Sequence, residues 1–279
     1  MMGSGFVLVD DMRLGYEERG ENGGSTLVLL HGFTGSAAGW GSHLDALAAY
    51  GTRVIAFDLP GHGRSDAPIE TRLYSFDACQ HLVLDALREL GVGQGEATLL
   101  GYSMGGRIAL YLALSGYFSA LVLESASPGL QDPVEREQRR ASDEALATSI
   151  ERDGVRAFVE RWEKLPLFAS QEKLPLETRE ALRRQRLKNR ASGLAQSLRG
   201  AGTGIQPPLH DRLPSLHLPV LLLAGELDAK FSASARSMAG ALPQAQLCIV
   251  PGAGHTIHLE RPGEFDMLVG AFIQKGRNI

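Results

Sequence analysis

The sequence predicts an α/β protein in which a mostly parallel central sheet is flanked by helices and carries an inserted helical lid. Short apolar runs rich in β-branched residues alternate along the chain with longer helical patterns. The later runs lack the apolar–polar alternation of strands that have one face in water. Between residues 124 and 219 no strand pattern occurs and only helical patterns remain, which predicts the lid.

Six continuous apolar runs predict the strands of the sheet. Such runs are typical of parallel strands that helices cover on both faces. They are TLVLL (26–30), RVIAF (53–57), EATLL (96–100), ALVLE (120–124), PVLLLAG (219–225) and QLCIV (246–250). Two earlier segments, FVLVDD and RLGYEER, alternate more and are joined by very few residues, so they predict an antiparallel hairpin at one sheet edge.

Helical patterns account for most of the remaining chain. The predicted helices that cover the sheet span 40–50, 76–91, 104–115, 233–241 and 261–275. Within the interruption, VEREQRRASDEALATSIERDG and LETREALRRQRLKNRASGLAQSLRG are helical. A chain of 279 residues fits one folding unit with an insertion. We therefore expect a core formed by residues 1–127 and 208–279 and a lid formed by residues 128–207.

Composition excludes several classes of function. The 44% hydrophobic and 22% charged content is ordinary for a globular protein, and no run approaches the roughly 20 apolar residues that span a bilayer. A net charge of −4 provides no basic surface for nucleic acid. We expect neither a membrane nor a nucleic-acid partner, and no obligate protein partner is indicated.

The N-terminal residues and the cysteines predict a reducing location. No basic leader precedes an apolar segment, so a secretory signal is not expected and the expected location is cytoplasmic. Cys79 and Cys248 both lie in apolar surroundings, which favours small core residues over a disulfide or a thiolate metal site. No metal site is predicted.

The stretch GYSMG, residues 101–105, lies between a predicted strand and a predicted helix. This is the arrangement of a nucleophile elbow, in which a sharp turn holds a serine hydroxyl above the sheet. Glycines at 101 and 105 allow the neighbouring backbone to come close. The motif alone has a high false-positive rate, and the flanking strand and helix are what strengthen it. Ser103 is therefore the candidate nucleophile or base.

A serine hydroxyl needs a histidine and an acid to activate it, in the chain order Ser, Asp, His for this type of elbow. Asp228 and His255 each follow a predicted strand, at the sheet edge where catalytic groups of α/β proteins gather. The competing acid is Glu226, and the competing bases are His258, which we expect to open the last helix, and His62, which we expect to form structural hydrogen bonds in its turn.

An oxyanion hole needs backbone N–H groups from the residue after the serine and from the loop after an early strand. Met104 and Phe33 occupy these positions. In the loop LLHGFTGS, Gly32 allows close approach and His31 is expected to brace the turn, while the Phe33 side chain is also suited to a pocket wall.

The segments HGFTGS, DLPGHGRSD, GYSMGGR, AGELD and PGAGH extend over nearly the whole chain, and together they resemble the α/β-hydrolase superfamily. The resemblance implies the α/β-hydrolase fold. It does not choose a reaction, because this fold carries esterases, carbon–carbon hydrolases, lyases and receptors without activity.

Arg107 helps to choose among these reactions, because a cation one turn after Ser103 opposes the helix dipole and must be retained for an anion. That anion is either a carboxylate of the protein or a carboxylate of the substrate. The segments GYSMGGRIALYLAL, LVLESASPGLQ, RWEKLPLFASQ, LRGAGTGIQPPL and AGELDAKF resemble a narrower family, the 2-succinyl-6-hydroxy-2,4-cyclohexadiene-1-carboxylate synthases of menaquinone biosynthesis.

This narrower resemblance implies a lyase without a cofactor, which eliminates pyruvate from a small-molecule substrate with several carboxylates. It also implies substrate-binding roles for several residues. By motif these are Arg107, Arg139, Arg186, Tyr102 and Trp162. The matches of Arg139 and Arg186 depend on the register of the lid helices, because Arg140, Arg184 and Lys188 lie close to them in sequence.

Overall fold

The computed structural model describes residues 2–21 and 25–276. Eight strands form one sheet in the order β1-β2-β4-β3-β5-β6-β7-β8. They are β1 (Met2–Val9), β2 (Met12–Arg19), β3 (Thr26–Leu30), β4 (Arg53–Phe57), β5 (Ala97–Tyr102), β6 (Ala120–Glu124), β7 (Val220–Gly225) and β8 (Ala245–Val250). The predicted hairpin is confirmed, since β1 pairs antiparallel with β2, which pairs antiparallel with β4; all later pairs are parallel.

Helices cover both faces of the sheet. The α-helices are α1 (His43–Ala48), α2 (Phe76–Glu89), α3 (Met104–Ala113), α4 (Pro133–Trp162), α5 (Leu176–Leu187), α6 (Ala191–Ala201), α7 (Ala229–Ala241), α8 (Ile257–Glu260) and α9 (Pro262–Gly276). Short 3₁₀ helices span Ala37–Trp40, Thr71–Tyr74, Pro166–Lys173 and His210–Ser215. Within residues 2–21 and 25–276, no helix is both long enough and apolar enough to cross a bilayer.

The core has two layers because successive strand residues face opposite sides of the sheet. On β3, Val28 and Leu30 pack in the layer that contains α2 and α3, while Leu27 and Leu29 pack in the layer that contains α1 and α9. All five residues of β3 are buried. This explains why the central strands read as unbroken apolar runs.

Three elements differ from the sequence prediction. The expected helix 40–50 is a 3₁₀ turn followed by the short α1, with Gly41 between them at φ 50°. The expected helix 233–241 begins earlier, at Ala229, because Asp228 caps it. The prediction that QLCIV is covered on both faces is wrong, since β8 is an edge strand and most of its residues are only partly buried.

The insertion between β6 and β7 contains α4, α5 and α6, together with the 3₁₀ segment Pro166–Lys173. Gly154 interrupts α4 with φ 79° and ψ 167°. Side chains of α4 and α6 form a small apolar cluster of their own, and the Phe33 side chain of the core packs against it. The insertion therefore lies over the carboxyl edge of the sheet, while the boundaries 127/128 and 207/208 stay a prediction.

Candidate active site

Ser103 lies at the turn between β5 and α3, with φ 52° and ψ −108°. This is a sparsely populated conformation for a residue with a side chain, and it costs about 1–3 kcal/mol that the surrounding structure must offset. Part of that support is a hydrogen bond from the Ser103 N–H to the Glu124 carbonyl on β6, at 2.9 Å. The turn leaves the hydroxyl at the carboxyl edge of the sheet.

Gly105 is required for the elbow because α3 passes against the backbone of β3. A Cβ at this position would overlap the carbonyl oxygens of Leu30 and His31, the latter at 2.5 Å. Neither carbonyl can move without disturbing the sheet. Gly101 faces the backbone of Gly105 and Gly106 in the same way.

Replacing Gly105 with alanine should destabilise the protein by about 3 kcal/mol, because the added methyl group overpacks against immobile backbone. Urea unfolding measures this difference. Gly240→Ala in α7 is the matched control, since nothing lies within 4 Å of its added Cβ, and helix propensity favours alanine there by about 0.5–1 kcal/mol. Equal effects of the two substitutions would contradict the close approach.

The three residues of the predicted triad form one chain of hydrogen bonds. The Ser103 hydroxyl lies 3.0 Å from Nε2 of His255, and Nδ1 of His255 lies 2.6 Å from Oδ2 of Asp228. His255 and Asp228 are 1% and 7% exposed. Because a carboxylate only accepts, we assign the ring proton to Nδ1, which leaves Nε2 free to accept the Ser103 proton.

Asp228 is held in place as the N-cap of α7, since its Oδ1 accepts a hydrogen bond from the Phe231 N–H at 3.2 Å. One carboxylate oxygen therefore fixes the helix and the other orients His255. This double role explains why α7 starts at residue 229.

The alternative acid and bases have other partners. Glu226 is exposed and accepts a hydrogen bond from the Gly252 N–H at 2.8 Å. His258 lies in α8, before the last helix, and donates Nδ1–H to the buried Glu124 at 2.8 Å. His62 donates Nδ1–H to the Pro60 carbonyl at 3.0 Å, as expected for a structural histidine.

The two predicted oxyanion donors are the backbone N–H groups of Phe33 and Met104. Neither the Phe33 N–H nor the Met104 N–H donates a hydrogen bond to any residue that the structure describes. Met104 begins α3, so its N–H is one of those that a helix leaves without an intrahelical partner. Both donors are thus available for a developing negative charge.

His31 braces the loop that carries Phe33. Its Nε2 accepts a hydrogen bond from the Leu59 N–H at 3.0 Å, so its Nδ1–H donates to the Gly32 carbonyl at 2.8 Å. Burial lowers the pKa of His31 to about 4. His62 packs against it with ring centroids 5.0 Å apart. Burial and the neighbouring His31 lower the pKa of His62 to about 3, so both rings are neutral at pH 7.

This neutral pair should make the protein sensitive to acid. Below the unfolded pKa of about 6.5 the unfolded chain binds protons that the native histidines exclude, so the free energy of unfolding falls as pH falls. At pH 5 the loss is about 2 kcal/mol per histidine. His62→Gln should reduce the change between pH 7 and pH 5 by this amount in urea unfolding. His217→Gln, at an exposed position, should leave the change unaltered; the reverse pattern would contradict the assignment.

Arg107 is 9% exposed and points away from bulk solvent. Its Nη1 donates to the Ala201 carbonyl at the end of α6, at 2.9 Å. No carboxylate of the described ranges lies within ion-pair distance of its guanidinium. Burial, and then the positive charge of Arg139, lower the pKa of Arg107 to about 10 against the opposing effect of Asp143, which lies beyond ion-pair distance, so Arg107 remains charged at neutral pH. A buried cation without a carboxylate partner is costly and is well suited to bind an anion.

The other two predicted arginines lie in different surroundings. Arg139 on α4 donates Nε–H to Asp143 at 2.8 Å and is 41% exposed in its side chain. Arg186 on α5 is buried beside Phe168, with its guanidinium carbon 5.2 Å from the ring centroid. Burial lowers the pKa of Arg186 to about 10, and the neighbouring Tyr102 opposes this effect. The structure thus brings Arg139 near Arg107 and places Arg186 near Tyr102.

Trp162 belongs to an aromatic cluster that joins the insertion to the oxyanion loop. Its ring centroid lies 5.4 Å from that of Phe33, 5.3 Å from that of Phe158 and 5.6 Å from that of Phe168. Phe168 in turn lies 6.1 Å from the His255 ring. The cluster covers one side of the His255 ring through Phe168, and it includes the Phe33 side chain, as expected for a pocket wall.

A cleft of about 640 Å³ lies beside these residues, between α5 and the loops that follow β3 and β4. Phe33, Tyr102, Phe168 and Arg186 line it, whereas Ser103 and His255 do not. Its volume is in the range of small-molecule pockets. The cleft therefore adjoins the triad through Tyr102 and Phe168.

Sequence reasoning missed Thr256, Gln171 and Phe168. The Tyr102 hydroxyl lies 2.8 Å from Thr256 Oγ1, and Gln171 Nε2 donates to the same oxygen at 2.9 Å. Thr256 could have been found from its position next to His255. Gln171 and Phe168 carry no signal of their own, because their place beside the triad depends on how the insertion folds back.

Comparison with known proteins agrees with this geometry. Residues 25–262 match a family described by the α/β hydrolase fold. A Bacillus subtilis (strain 168) protein named "Putative 2-succinyl-6-hydroxy-2,4-cyclohexadiene-1-carboxylate synthase" is 42% identical over 275 residues, 98% of this chain and 99% of that protein. The structure of MenH from S. aureus has a TM-score of 0.89 and 37% identity, and the match covers 94% of this chain and 98% of that one.

A thermophilic esterase from Thermogutta terrifontis, solved with malate bound, has a TM-score of 0.84 at 26% identity, and the match covers 99% of both chains. The fold is thus shared with hydrolases, while the higher identities lie with the synthases. The chain belongs to the α/β-hydrolase family and, within it, to the family of the 2-succinyl-6-hydroxy-2,4-cyclohexadiene-1-carboxylate synthases.

Proposed function

We propose that the protein is a carbon–oxygen lyase that eliminates pyruvate from 5-enolpyruvoyl-6-hydroxy-2-succinyl-cyclohex-3-ene-1-carboxylate, giving 2-succinyl-6-hydroxy-2,4-cyclohexadiene-1-carboxylate. The observation that carries the proposal is the combination of two features within one helical turn. Ser103 is hydrogen-bonded to His255, and the buried Arg107 has no carboxylate partner in the described chain. An activated hydroxyl one helical turn from a buried cation that no carboxylate pairs with suits proton abstraction from a carboxylated substrate.

In this mechanism the triad removes a proton and forms no covalent bond to the substrate. Asp228 holds the His255 ring so that Nε2 takes the Ser103 proton. The resulting alkoxide takes the acidic ring proton next to the succinyl carbonyl. The electrons form the conjugated diene and break the bond to the enolpyruvyl oxygen. The proton on His255 passes to the departing enolpyruvate, which leaves as pyruvate.

The oxyanion hole stabilises the enolate that forms when the proton leaves. The N–H groups of Phe33 and Met104 supply two donors that need no rearrangement during the reaction. The elbow fixes Met104, and His31 fixes the Phe33 loop.

The arginines fix the substrate carboxylates so that the reacting proton faces Ser103. Arg107 is the strongest candidate because it is buried and unpaired, and Arg186 is the second for the same reasons. Arg139 contributes after exchanging part of its ion pair with Asp143. Tyr102 and Trp162 complete the wall. The partner is thus a small-molecule polycarboxylate, and we place the protein in the cytoplasm, where its two free thiols stay reduced.

A serine hydrolase acting on a carboxylated ester or carbon–carbon bond is the second candidate, and the likeness to the Thermogutta esterase favours it. A coupled pyruvate assay on the proposed substrate, run beside a panel of aryl esters, separates the two. We expect stoichiometric pyruvate and a kcat/KM at least roughly a hundredfold above that of any neutral ester, because such esters leave Arg107 without a partner. Ester cleavage without pyruvate release would overturn the lyase assignment.

A further inference from the structure

Four side chains form a hydrogen-bonded chain from the insertion to the neighbours of the triad. Arg186 Nη2 donates to Gln171 Oε1 at 3.2 Å, and Gln171 Nε2 donates to Thr256 Oγ1 at 2.9 Å. Thr256 Oγ1 shares a hydrogen bond of 2.8 Å with the Tyr102 hydroxyl. Arg186 and Gln171 belong to the insertion, whereas Thr256 and Tyr102 belong to the core.

The core end of this chain is tied directly to the triad. Tyr102 precedes Ser103 and Thr256 follows His255 in sequence. The Tyr102 ring also packs against His255, with centroids 5.5 Å apart. Burial raises the pKa of the Tyr102 hydroxyl, so the group is a neutral phenol that can donate or accept.

The insertion end of the chain is a buried cation without a carboxylate. Arg186 is 5% exposed, no carboxylate of the described residues pairs with it, and its Nε has no partner among them. Gln171 is 7% exposed and supplies the hydrogen bond that orients the guanidinium. A neutral amide orients an arginine without neutralising it, which keeps the charge available for a substrate anion.

We infer that Gln171 and Thr256 are positioning residues, which hold Arg186 at a fixed place relative to Ser103 and His255. The inference rests on the proposed function. The hydrogen bonds that position Arg186 would then also fix a substrate carboxylate relative to Tyr102, whose ring packs against His255. Neither residue touches the reacting atoms.

The test compares Gln171→Leu, Thr256→Val and their combination in the pyruvate assay. Each single variant should lower kcat/KM about tenfold, mainly through KM, because each removes one link to a charged group. The double variant should lose little more than the worse single variant, since both break one chain. Thr256→Ser keeps the hydroxyl and should restore kcat/KM to within about threefold of wild type.

Gln171→Glu distinguishes positioning from a merely structural role. A carboxylate here would pair with Arg186 and compete with the substrate anion, so KM should rise more than in Gln171→Leu although the protein is at least as stable. Gln196→Leu is the matched control: Gln196 Oε1 accepts a hydrogen bond from Thr71 at 2.5 Å, which joins the insertion to the core without reaching the triad.

The outcomes separate the inference from the proposed function. Two results would overturn the inference alone, provided that the wild type releases pyruvate. One is an unchanged KM in both Gln171→Leu and Gln171→Glu. The other is a loss of kcat/KM in the double variant that equals the full sum of the two single losses in free energy. Wild type without pyruvate release would overturn both. In all variants a serine-directed phosphonate without a carboxylate should label Ser103 at the wild-type rate, and slower labelling would show that the chain serves the triad instead of Arg186.

Discussion

Ser103→Ala should fold normally and release pyruvate about 10²- to 10⁴-fold more slowly than wild type, because removing a positioned proton-transfer group costs this much when proton abstraction is the difficult step. The residual rate comes from the oxyanion donors and the arginines, which remain. Binding of substrate should change little, since the hydroxyl makes few ground-state contacts. Single-turnover pyruvate release measures the chemical step directly.

Ser125→Ala is the matched control for this substitution. Ser125 also follows a strand, also has a positive φ of 50°, and is buried at 1% exposure. The two variants therefore share a positive-φ backbone and the loss of one hydroxyl, while of the two residues Ser103 is the one hydrogen-bonded to His255. Wild-type pyruvate release by Ser103→Ala, or an equal loss in Ser125→Ala, would remove Ser103 from the mechanism.

Arg107→Met should lower kcat/KM by roughly 10- to 100-fold, mainly by raising KM, because a charge-assisted hydrogen bond to a carboxylate is worth about 1.5–3 kcal/mol. Methionine fills the space of the aliphatic stem but carries no charge. Since Arg107 is buried without an ion pair, removing it should not lower the free energy of unfolding, and a gain is expected. Steady-state kinetics and urea unfolding on one preparation give both quantities.

Arg199→Met supplies the comparison for Arg107. Arg199 lies on α6 of the insertion, where Glu144 and Glu151 already pair with it. Its loss should leave KM within about twofold and remove only a surface ion-pair network of about 1 kcal/mol. If Arg107→Met kept the wild-type KM but lowered the free energy of unfolding, the role of the guanidinium would be its hydrogen bond to the Ala201 carbonyl and not substrate binding.

Much of the fold follows from the sequence because the central strands are buried on both faces. TLVLL, RVIAF and ALVLE have no polar alternation, and the structure gives them the predicted bounds. The same pattern fails for QLCIV, since an apolar run does not reveal that its strand ends the sheet. The start of α7 is missed because Asp228 caps it with the carboxylate that also holds His255.

Within the site, the residues at strand ends are predictable from the sequence and those of the insertion are not. Parallel strands bring their carboxyl ends to one edge, so Ser103, Asp228 and His255 are predictable from where strands end. The insertion offers no such rule. Arg139 and Arg186 lie on different helices whose relative placement depends on the break at Gly154 and on the aromatic contacts of Trp162. The sequence therefore could not show that Arg139 lies near Arg107 whereas Arg186 lies near Tyr102.

Rapid-quench mass analysis of the wild-type protein during turnover tests elimination against acyl transfer most directly. The mechanism predicts one pyruvate per substrate consumed, no succinate, and an unmodified protein mass at every quench time. A transient acyl adduct on Ser103 that forms and decays at the rate of turnover, with succinate as the product, would contradict it.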